Sequence, residues 1–407
     1  MIYIVSIAVF TAVIFLLIGL ILLVEAKVVR SEDCFVTIND DTEKPLKVAA
    51  GGTLLSALSE NQILLPSACG GGGTCGTCKC RVDRGGAGIL PTELAHLSRR
   101  EKKENVRLAC QLKVKEDLSI QIPREILDVQ KYEATVLSNE NVATFIKELV
   151  IRLENDADLD FQAGAFIQID VPEYELSYSE FKARVEDRYR PEWDAFDLWG
   201  LQSKNETPIF RAYSLANPPL EKNVLRFTIR IATPPPWIPG APPGVGSSFI
   251  FNLEPGDKII ISGPYGDFFA KKSEREMCFI GGGAGMAPLK SHILHQLEDV
   301  KSRRRISFWY GARSLQELFF SEQFEQLETA HANFSFHVAL SEPKPEDGWS
   351  GMTGFIHDSL YTHYLSEHDD PTEIEYYLCG PPPMIDAVIS MLDHIGVEAE
   401  MIAYDKF

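Results

Sequence analysis

Ser67-Ala68-Cys69-Gly70-Gly71-Gly72-Gly73-Thr74-Cys75-Gly76-Thr77-Cys78 is followed, after 31 intervening residues, by Cys110. This stretch decides the architecture of the first third of the chain. Of eight cysteines, four crowd positions 69, 75, 78 and 80. Such crowding in a chain of 407 residues points to metal rather than to a disulfide framework. Thiolates that wrap an inorganic core need a loop whose backbone comes close to the sulfurs. Gly70–Gly73 and Gly76 supply one, having no Cβ and free access to positive φ. A zinc ribbon usually offers two Cys-x-x-Cys pairs, whereas Cys75 and Cys78 form a single pair.

The spacing resembles that of plant-type and adrenodoxin-like [2Fe–2S] ferredoxins. Its first gap is five residues rather than the four of the plant form, which is nearer the adrenodoxin-like loop. The resemblance implies an α+β, β-grasp ferredoxin domain over 33–126 with one [2Fe–2S] cluster on Cys69, Cys75, Cys78 and Cys110. Cys80 falls beyond the loop, on a predicted strand Cys80–Val82, and reads as a core thiol. Cys34 and Cys278 read as small buried hydrophobes. Around the loop, strands are expected at Cys34–Asn39, Leu46–Ala49 and Leu118–Ile122. Thr53 is expected to cap a helix through Asn61, and Pro91–Glu104 reads as helical.

Before this domain, Ile2 to Val24 contains no charged residue. As a helix it would rise about 34 Å, enough to cross a hydrocarbon core of about 30 Å. A signal peptide would want a basic start and a small-x-small cleavage site, and neither is present. The expectation is a single transmembrane anchor over 1–27. Lys27 and Arg30 follow it and nothing basic precedes it. The positive-inside rule then puts the bulk of the chain, residues 30–407, in the cytoplasm.

Composition fits the rest. Apolar residues make up 45% and charged residues 24%, so the chain can form ordinary globular cores. A net charge of −19 argues against nucleic-acid binding, which needs a Lys and Arg surplus.

Residues 130–270 are strand-rich. Six candidates, Glu133–Leu137, Ile146–Leu153, Phe166–Val171, Ile209–Leu215, Val224–Ile231 and Lys258–Ser262, predict an antiparallel β-barrel. Only the segment Glu173–Thr207 interrupts them. Residues 274–407 alternate strand and helix. Met277–Ile280, Ile306–Tyr310, Phe334–Leu340 and Tyr376–Leu378 read as strands, and a helix is expected from Ala287 to Leu297. That pattern predicts an α/β nucleotide-binding domain.

Arg211-Ala212-Tyr213-Ser214 ends a barrel strand and resembles the Arg-x-Tyr-Ser signature of ferredoxin–NADP reductase-like flavoproteins. The chemistry suits FAD. Arginine can pair with its pyrophosphate, tyrosine can lie against the ring, and the Ser214 hydroxyl can reach flavin N5. Gly244-Val245-Gly246-Ser247-Ser248 resembles the same family's later phosphate-binding turn. Gly281-Gly282-Gly283-Ala284-Gly285-Met286-Ala287-Pro288 resembles its Gly-Gly-x-Gly-x-x-Pro turn for the nicotinamide coenzyme. Cys379-Gly380-Pro381-Pro382-Pro383-Met384 resembles its Cys-Gly-Pro-x-x-Met hallmark, which implies that Cys379 lies near hydride transfer. A terminal aromatic, here Phe407, covers the flavin ring in many members. The strand Ile306–Tyr310 leads into Gly311-Ala312-Arg313-Ser314 with no carboxylate at its tip. By residues alone, NADH and NADPH stay open, and Arg313 even suggests a 2′-phosphate.

The order of modules covers the whole chain. It resembles the family of F subunits of bacterial Na⁺-translocating NADH:quinone oxidoreductases, and Glu173–Thr207 is similar to that family's long insertion. The resemblance implies NADH as substrate, with hydride passing to FAD and single electrons to the cluster. It also implies a six-subunit complex in the bacterial inner membrane, ubiquinone as final acceptor and Na⁺ transport in partner subunits. The alternative is a membrane-tethered reductase component of an oxygenase, which shares the three modules. The longer cysteine loop and the insertion count against it, and the uncharged N-terminal stretch counts further against the soluble-type reductase of an aromatic-ring oxygenase.

Overall fold

The computed structural model describes residues 6–7, 10–20, 33–235, 238 and 240–406. The chain divides after Gln130 into two compact units. Of the predicted anchor Ile2–Val24, residues 6–7 and 10–20 are described, and they are helical. Their large apolar side chains, among them Phe10, Phe15, Leu16 and Leu17, are exposed. No helix of the described residues is long and apolar enough to cross a membrane.

The first unit is built on a five-stranded sheet of order β2-β1-β5-β3-β4. Its strands are β1 (Cys34–Ile38), β2 (Leu46–Val48), β3 (Lys79–Arg84), β4 (Val106–Leu108) and β5 (Leu118–Gln121). β1 and β5 pair in parallel and the other neighbours antiparallel. The helix Leu54–Glu60 buries Leu54, Leu55, Ala57 and Leu58. The expected helix Pro91–Glu104 is corrected to turns over 91–96 and a short helix, Arg99–Lys103. Ser98 ends the turns because its side chain and that of Glu101 form a reciprocal capping box.

The second unit holds two six-stranded sheets. The first has order β11-β8-β13-β6-β7-β12, with β11–β8, β8–β13, β6–β7 and β7–β12 pairing antiparallel. These strands are β6 (Gln130–Ala143), β7 (Ile146–Leu153), β8 (Phe166–Val171), β11 (Ile209–Ser214), β12 (Val224–Arg230) and β13 (Lys258–Tyr265). Alternate residues point inward, as period two requires: Ile167 and Ile169, Leu225, Phe227 and Ile229, and Ile259 and Ile261 share one core. Ala216 N donates to Arg226 O at 2.8 Å, drawing the end strands together into the expected barrel.

The segment Glu173–Thr207 is a folded insertion. Its strands β9 (Tyr174–Ser177) and β10 (Gln202–Asn205) form an antiparallel hairpin. Between them Tyr178, Phe181, Tyr189 and Trp193 build a core that also takes in Ile231 and Phe251. Trp193 stacks on Trp199 with ring centroids 4.8 Å apart and donates to Thr144 O at 2.9 Å.

The other sheet is parallel, of order β17-β16-β15-β14-β18-β19. Its strands are β14 (Met277–Gly282), β15 (Ile306–Ala312), β16 (Phe334–Leu340), β17 (Met352–Thr353), β18 (Glu375–Gly380) and β19 (Ile402–Lys406). β14 is buried along its whole length because both faces are covered. Met277 and Phe279 pack on one side, with the helix Met286–Leu294. Cys278 and Ile280 pack on the other, with the helices Ile356–His363 and Pro382–His394. β15 and β18 flank β14, so the chain reverses its strand order there, where such sheets bind ligands at the strand C-termini.

Candidate functional site

In the first unit the cysteine loop is shaped by glycine and pinned by two hydroxyls. Gly70, Gly71, Gly73 and Gly76 have φ of 63, 92, 77 and 71°, values that favour glycine. Gly71 N donates to Ser67 Oγ at 2.9 Å, and Ala68 N donates to Thr77 Oγ1 at 3.1 Å. The four predicted ligands stand in two pairs. Cys75 Sγ donates to Cys69 Sγ at 3.3 Å, and Cys78 and Cys110 share a hydrogen bond. Two thiolates bound ~2.3 Å from one tetrahedral metal stand ~3.7 Å apart, so each pair suits one iron of a two-iron core. Among the described residues no three His, Cys, Asp or Glu converge on a single ion. The hydrogen bond from Cys75 drives Cys69 toward thiolate, and the backbone N–H groups of Thr74 and Cys75 add to it. The hydrogen bond from Cys78 does the same for Cys110 against the opposing push of burial, with Gln111 and the N–H of Gly73 adding to it. This donor set fits thiolates on a [2Fe–2S] core.

Cys80 lies on β3 and is buried; that burial pushes its thiol up to about 12. Sequence reasoning missed a buried ion pair beside Cys80, whose register partner is Arg107. Arg107 and Glu93 are both buried, with Arg107 Nη2 at 2.7 Å from Glu93 Oε2. Leu90 N and Leu108 N also donate to Glu93, at 2.7 and 2.9 Å. Burial pushes the Glu93 carboxyl up, but the arginine and the two N–H groups outweigh it and hold the group below its ordinary range.

In the second unit Arg211, Tyr213 and Ser214 lie on β11, beside the start of the helix Val245–Asn252. A Cβ on Gly246 would lie 2.7 Å from both Arg211 Cγ and the Tyr213 hydroxyl, so only glycine lets the helix close on the strand. The hydroxyls of Ser247 and Ser248 are engaged inside the turn. Ser247 donates to Gly244 O at 3.1 Å and accepts from Ala232 N at 3.0 Å. Ser248 donates to Gly244 O at 2.7 Å and stands 2.8 Å from Tyr178 Oη. First-turn N–H groups have no intrahelical partner, so the backbone here is what can meet a phosphate. Burial pushes the Tyr213 hydroxyl up, so it stays protonated.

Gly282, Gly283, Gly285 and Pro288 form the strand-to-helix turn after β14. A Cβ on Gly285 would lie 2.1 Å from the Cys379 carbonyl oxygen, so the two glycine motifs meet backbone to backbone. Thr228 Oγ1 donates to Ala284 O at 3.1 Å and ties the turn to the barrel. Cys379 is fully buried on β18; burial, then the Asp405 carboxylate, push its thiol well above the ordinary range. Asp405 is its register partner on β19. Ser214 Oγ donates toward Asp405 Oδ2 at 3.5 Å. Burial, and next the charge of Asp267, raise Asp405 to about 6, while the Ser214 hydrogen bond opposes them. Ser214, Cys379 and Asp405 thus converge where barrel and sheet meet. Sequence reasoning named the first two and missed Asp405. Phe407 lies outside the described residues.

Three family models match this chain in register with these sites. They are the 2Fe-2S iron-sulfur cluster binding domain over 36–115, the oxidoreductase FAD-binding domain over 200–269 and the oxidoreductase NAD-binding domain over 279–389. The F subunit of the Na⁺-translocating NADH-quinone reductase of Klebsiella pneumoniae is 51% identical over 404 residues, covering 99% of both chains. That of Pseudomonas aeruginosa is 52% identical over 402 residues, covering 99% of this chain and 98% of its own. The chain belongs to this family of F subunits.

Among solved structures, the Amycolatopsis cytochrome P450 reductase GcoB is similar, with a TM-score of 0.63 at 25% identity. It covers 92% of this chain and 98% of its own. The ferredoxin reductase in carbazole 1,9a-dioxygenase has a TM-score of 0.60 at 24% identity over 92% of this chain and 98% of its own, a likeness of fold. As a member of the F-subunit group, the protein is an oxidoreductase that binds FAD, NADH and a [2Fe–2S] cluster. It moves electrons from NADH through FAD to the cluster, as one component of a larger complex.

Proposed function

We propose that the chain is the membrane-anchored electron-input subunit of a six-subunit Na⁺-translocating NADH:ubiquinone reductase in a bacterial inner membrane. The observation that carries the site reading is the convergence of Ser214, Cys379 and Asp405 at the C-terminal ends of β14 and β18. It supports a flavin held by β11 with its reactive edge toward the nicotinamide turn. In this reading Arg211, Tyr213, Ser214 and the first-turn N–H groups of Gly246 and Ser247 hold FAD, with Ser248, whose N–H donates to Gly244 O at 3.0 Å, bracing the turn. Gly282, Gly283, Gly285 and Pro288 seat NADH. FAD, when bound, supplies the exchange between a hydride and single electrons; the protein contributes positioning and electrostatics. Ser214 orients the flavin edge, and the buried Cys379 thiol excludes water beside it. Phe407 is the proposed ring cover. Cys69, Cys75, Cys78 and Cys110 hold the cluster.

The anchor rests on the uncharged stretch from Ile2 to Val24, with Lys27 and Arg30 after it. The exposed apolar side chains of the helical residues 10–20 suit lipid rather than water. The chain would cross once and leave residues 30–407 in the cytoplasm. The finer domain division is 1–27, 33–126, 130–270 and 274–407. Tethering then raises the local concentration of membrane partners. Deleting residues 1–26 tests this. The expected product is soluble and passes electrons from NADH to an artificial acceptor, but does not support quinone reduction in membranes. Full reconstitution by the truncated chain would sink the anchor's role. Purification of the full chain from membranes should bring five other subunits and Na⁺-dependent NADH oxidation.

A further inference from the structure

Gln111 follows Cys110 in the turn after β4, where Gln111 N donates to Leu108 O at 2.9 Å. Its side-chain amide folds back on the cysteine loop. Gln111 Nε2 donates to Cys110 Sγ at 3.7 Å, and Thr92 Oγ1 donates to Gln111 Oε1 at 3.0 Å. Room for the amide comes from Gly73, where a Cβ would lie 2.5 Å from Gln111 Nε2. Gly73 also has a φ of 77°, so space and backbone both keep a side chain out of that position.

Thr92 is held in place through its neighbour Glu93. Glu93 Oε2 accepts from Leu90 N at 2.7 Å, and Oε1 accepts from Leu108 N at 2.9 Å. The turn bearing Thr92 and the turn bearing Gln111 therefore both hang on Leu108, one from its N–H and the other from its carbonyl. The buried pair of Arg107 and Glu93, 2.7 Å apart, locks that junction.

A thiolate carries no proton and can only accept. It selects the N–H end of the amide and turns the oxygen outward, toward the Thr92 hydroxyl. The hydroxyl beside Cys75 is less committed. Thr77 Oγ1 lies 3.1 Å from Cys75 Sγ but also serves Ala68 N and Pro66 O. An N–H aimed at a ligand sulfur withdraws charge from it and favours the more electron-rich, reduced cluster. Hydrogen bonds to the sulfurs are among the levers that set such potentials.

We propose that Gln111 is a positioning residue that raises the reduction potential of the [2Fe–2S] cluster through Cys110, and that Thr92 fixes the direction of its amide. The inference rests on the reading that Cys110 is a cluster ligand. No electron passes through Gln111; its N–H biases the cluster toward accepting one.

The test is an EPR-monitored redox titration of the full chain with its cofactors, read beside iron content. Gln111→Leu should keep its iron and lower the cluster midpoint by the equivalent of about tenfold in the reduction equilibrium, which is about 59 mV for one electron. Gln111→Glu should lower it further, since it adds a negative charge. Thr92→Val should shift the midpoint the same way by less, and Thr92→Ser should restore it. Added to Gln111→Leu, Thr92→Val should do nothing more, because its effect runs through the amide. A merely structural role would change iron content or stability without moving the midpoint. A midpoint in Gln111→Leu within about twofold of wild type in that equilibrium overturns the proposal. Should Gln111→Leu lose its cluster, Thr92→Val decides, since its hydroxyl bonds the amide and not a sulfur; an unmoved midpoint there overturns the proposal. Cys110→Ala separates the two levels. A retained cluster signal removes Cys110 as a ligand; a lost signal beside an unmoved Gln111→Leu midpoint removes only the tuning role.

Discussion

The Ser214 hydroxyl lies 3.5 Å from a carboxylate oxygen of Asp405, a residue 191 positions further along the chain. The contact joins the end of a barrel strand to the last strand of the parallel sheet. Asp405 has a folded pKa of about 6, against about 3.9 for an ordinary aspartate. A raised carboxyl pKa means that the neutral form favours the fold. That contribution is complete below about pH 4 and is lost as pH rises through about 6. NADH-driven flavin reduction should therefore show an inflection near pH 6 in wild type and none in Asp405→Asn. Stopped-flow traces across that range decide it, and an unchanged inflection in the variant would remove Asp405 from the site.

Cys75→Ala should abolish the EPR signal of the reduced cluster while NADH still bleaches the flavin. Cys80→Ala should keep the signal, because Cys80 is buried on β3, outside the loop. The reverse pattern would exchange their roles.

Gly246→Ala places a methyl 2.7 Å from Arg211 Cγ and the Tyr213 hydroxyl. FAD retention should weaken by about tenfold or more, with iron content unchanged. The ratio of FAD to iron in the purified protein reads this directly.

Glu93→Ala leaves Arg107 buried without its partner. Breaking such a pair costs about 3–5 kcal/mol. The denaturant midpoint for loss of cluster absorbance should fall accordingly, with the flavin midpoint unmoved. Because the Glu93 carboxyl is held down in the fold, its stabilisation is present above the ordinary glutamate pKa of about 4.3. It is lost as pH falls through the folded value, so cluster loss in acid should be blunted in Glu93→Gln relative to its own neutral-pH stability.

Much of the architecture was legible because period and burial agree. Leu225, Phe227 and Ile229 alternate as a half-buried strand must, and the continuous apolar run at Met277–Ile280 marks a strand covered on both faces. The cysteine spacing and the glycine turns carried the cofactors, as the matches over 36–115, 200–269 and 279–389 bear out. What stayed hidden depends on partners distant in sequence. Ile402–Lys406 contains two charges in five residues and becomes a strand only beside β18. Glu93 drew no reading in the sequence because the partner that buries it, Arg107, lies 14 residues on. The helix expected over Pro91–Glu104 shortens to Arg99–Lys103, and the turns before it set the Glu93 carboxylate against Leu90 N and Arg107.

The folded insertion has a mechanical meaning. Trp193 grips Thr144 O from one side, while Gln316 Nε2 donates to Thr144 Oγ1 at 2.9 Å from the other. Glu317 also bonds the Thr144 hydroxyl, and Lys344 reaches Glu192 at 3.3 Å. The turn between β6 and β7 is thus a rivet through three pieces: barrel, insertion and nucleotide sheet. A riveted seam resists hinge opening, so coenzyme entry falls to loops at the sheet rim rather than to a swing of one sheet from the other. It also couples the two sheets thermally: they should melt as one cooperative transition, and cutting the rivet should split it into two.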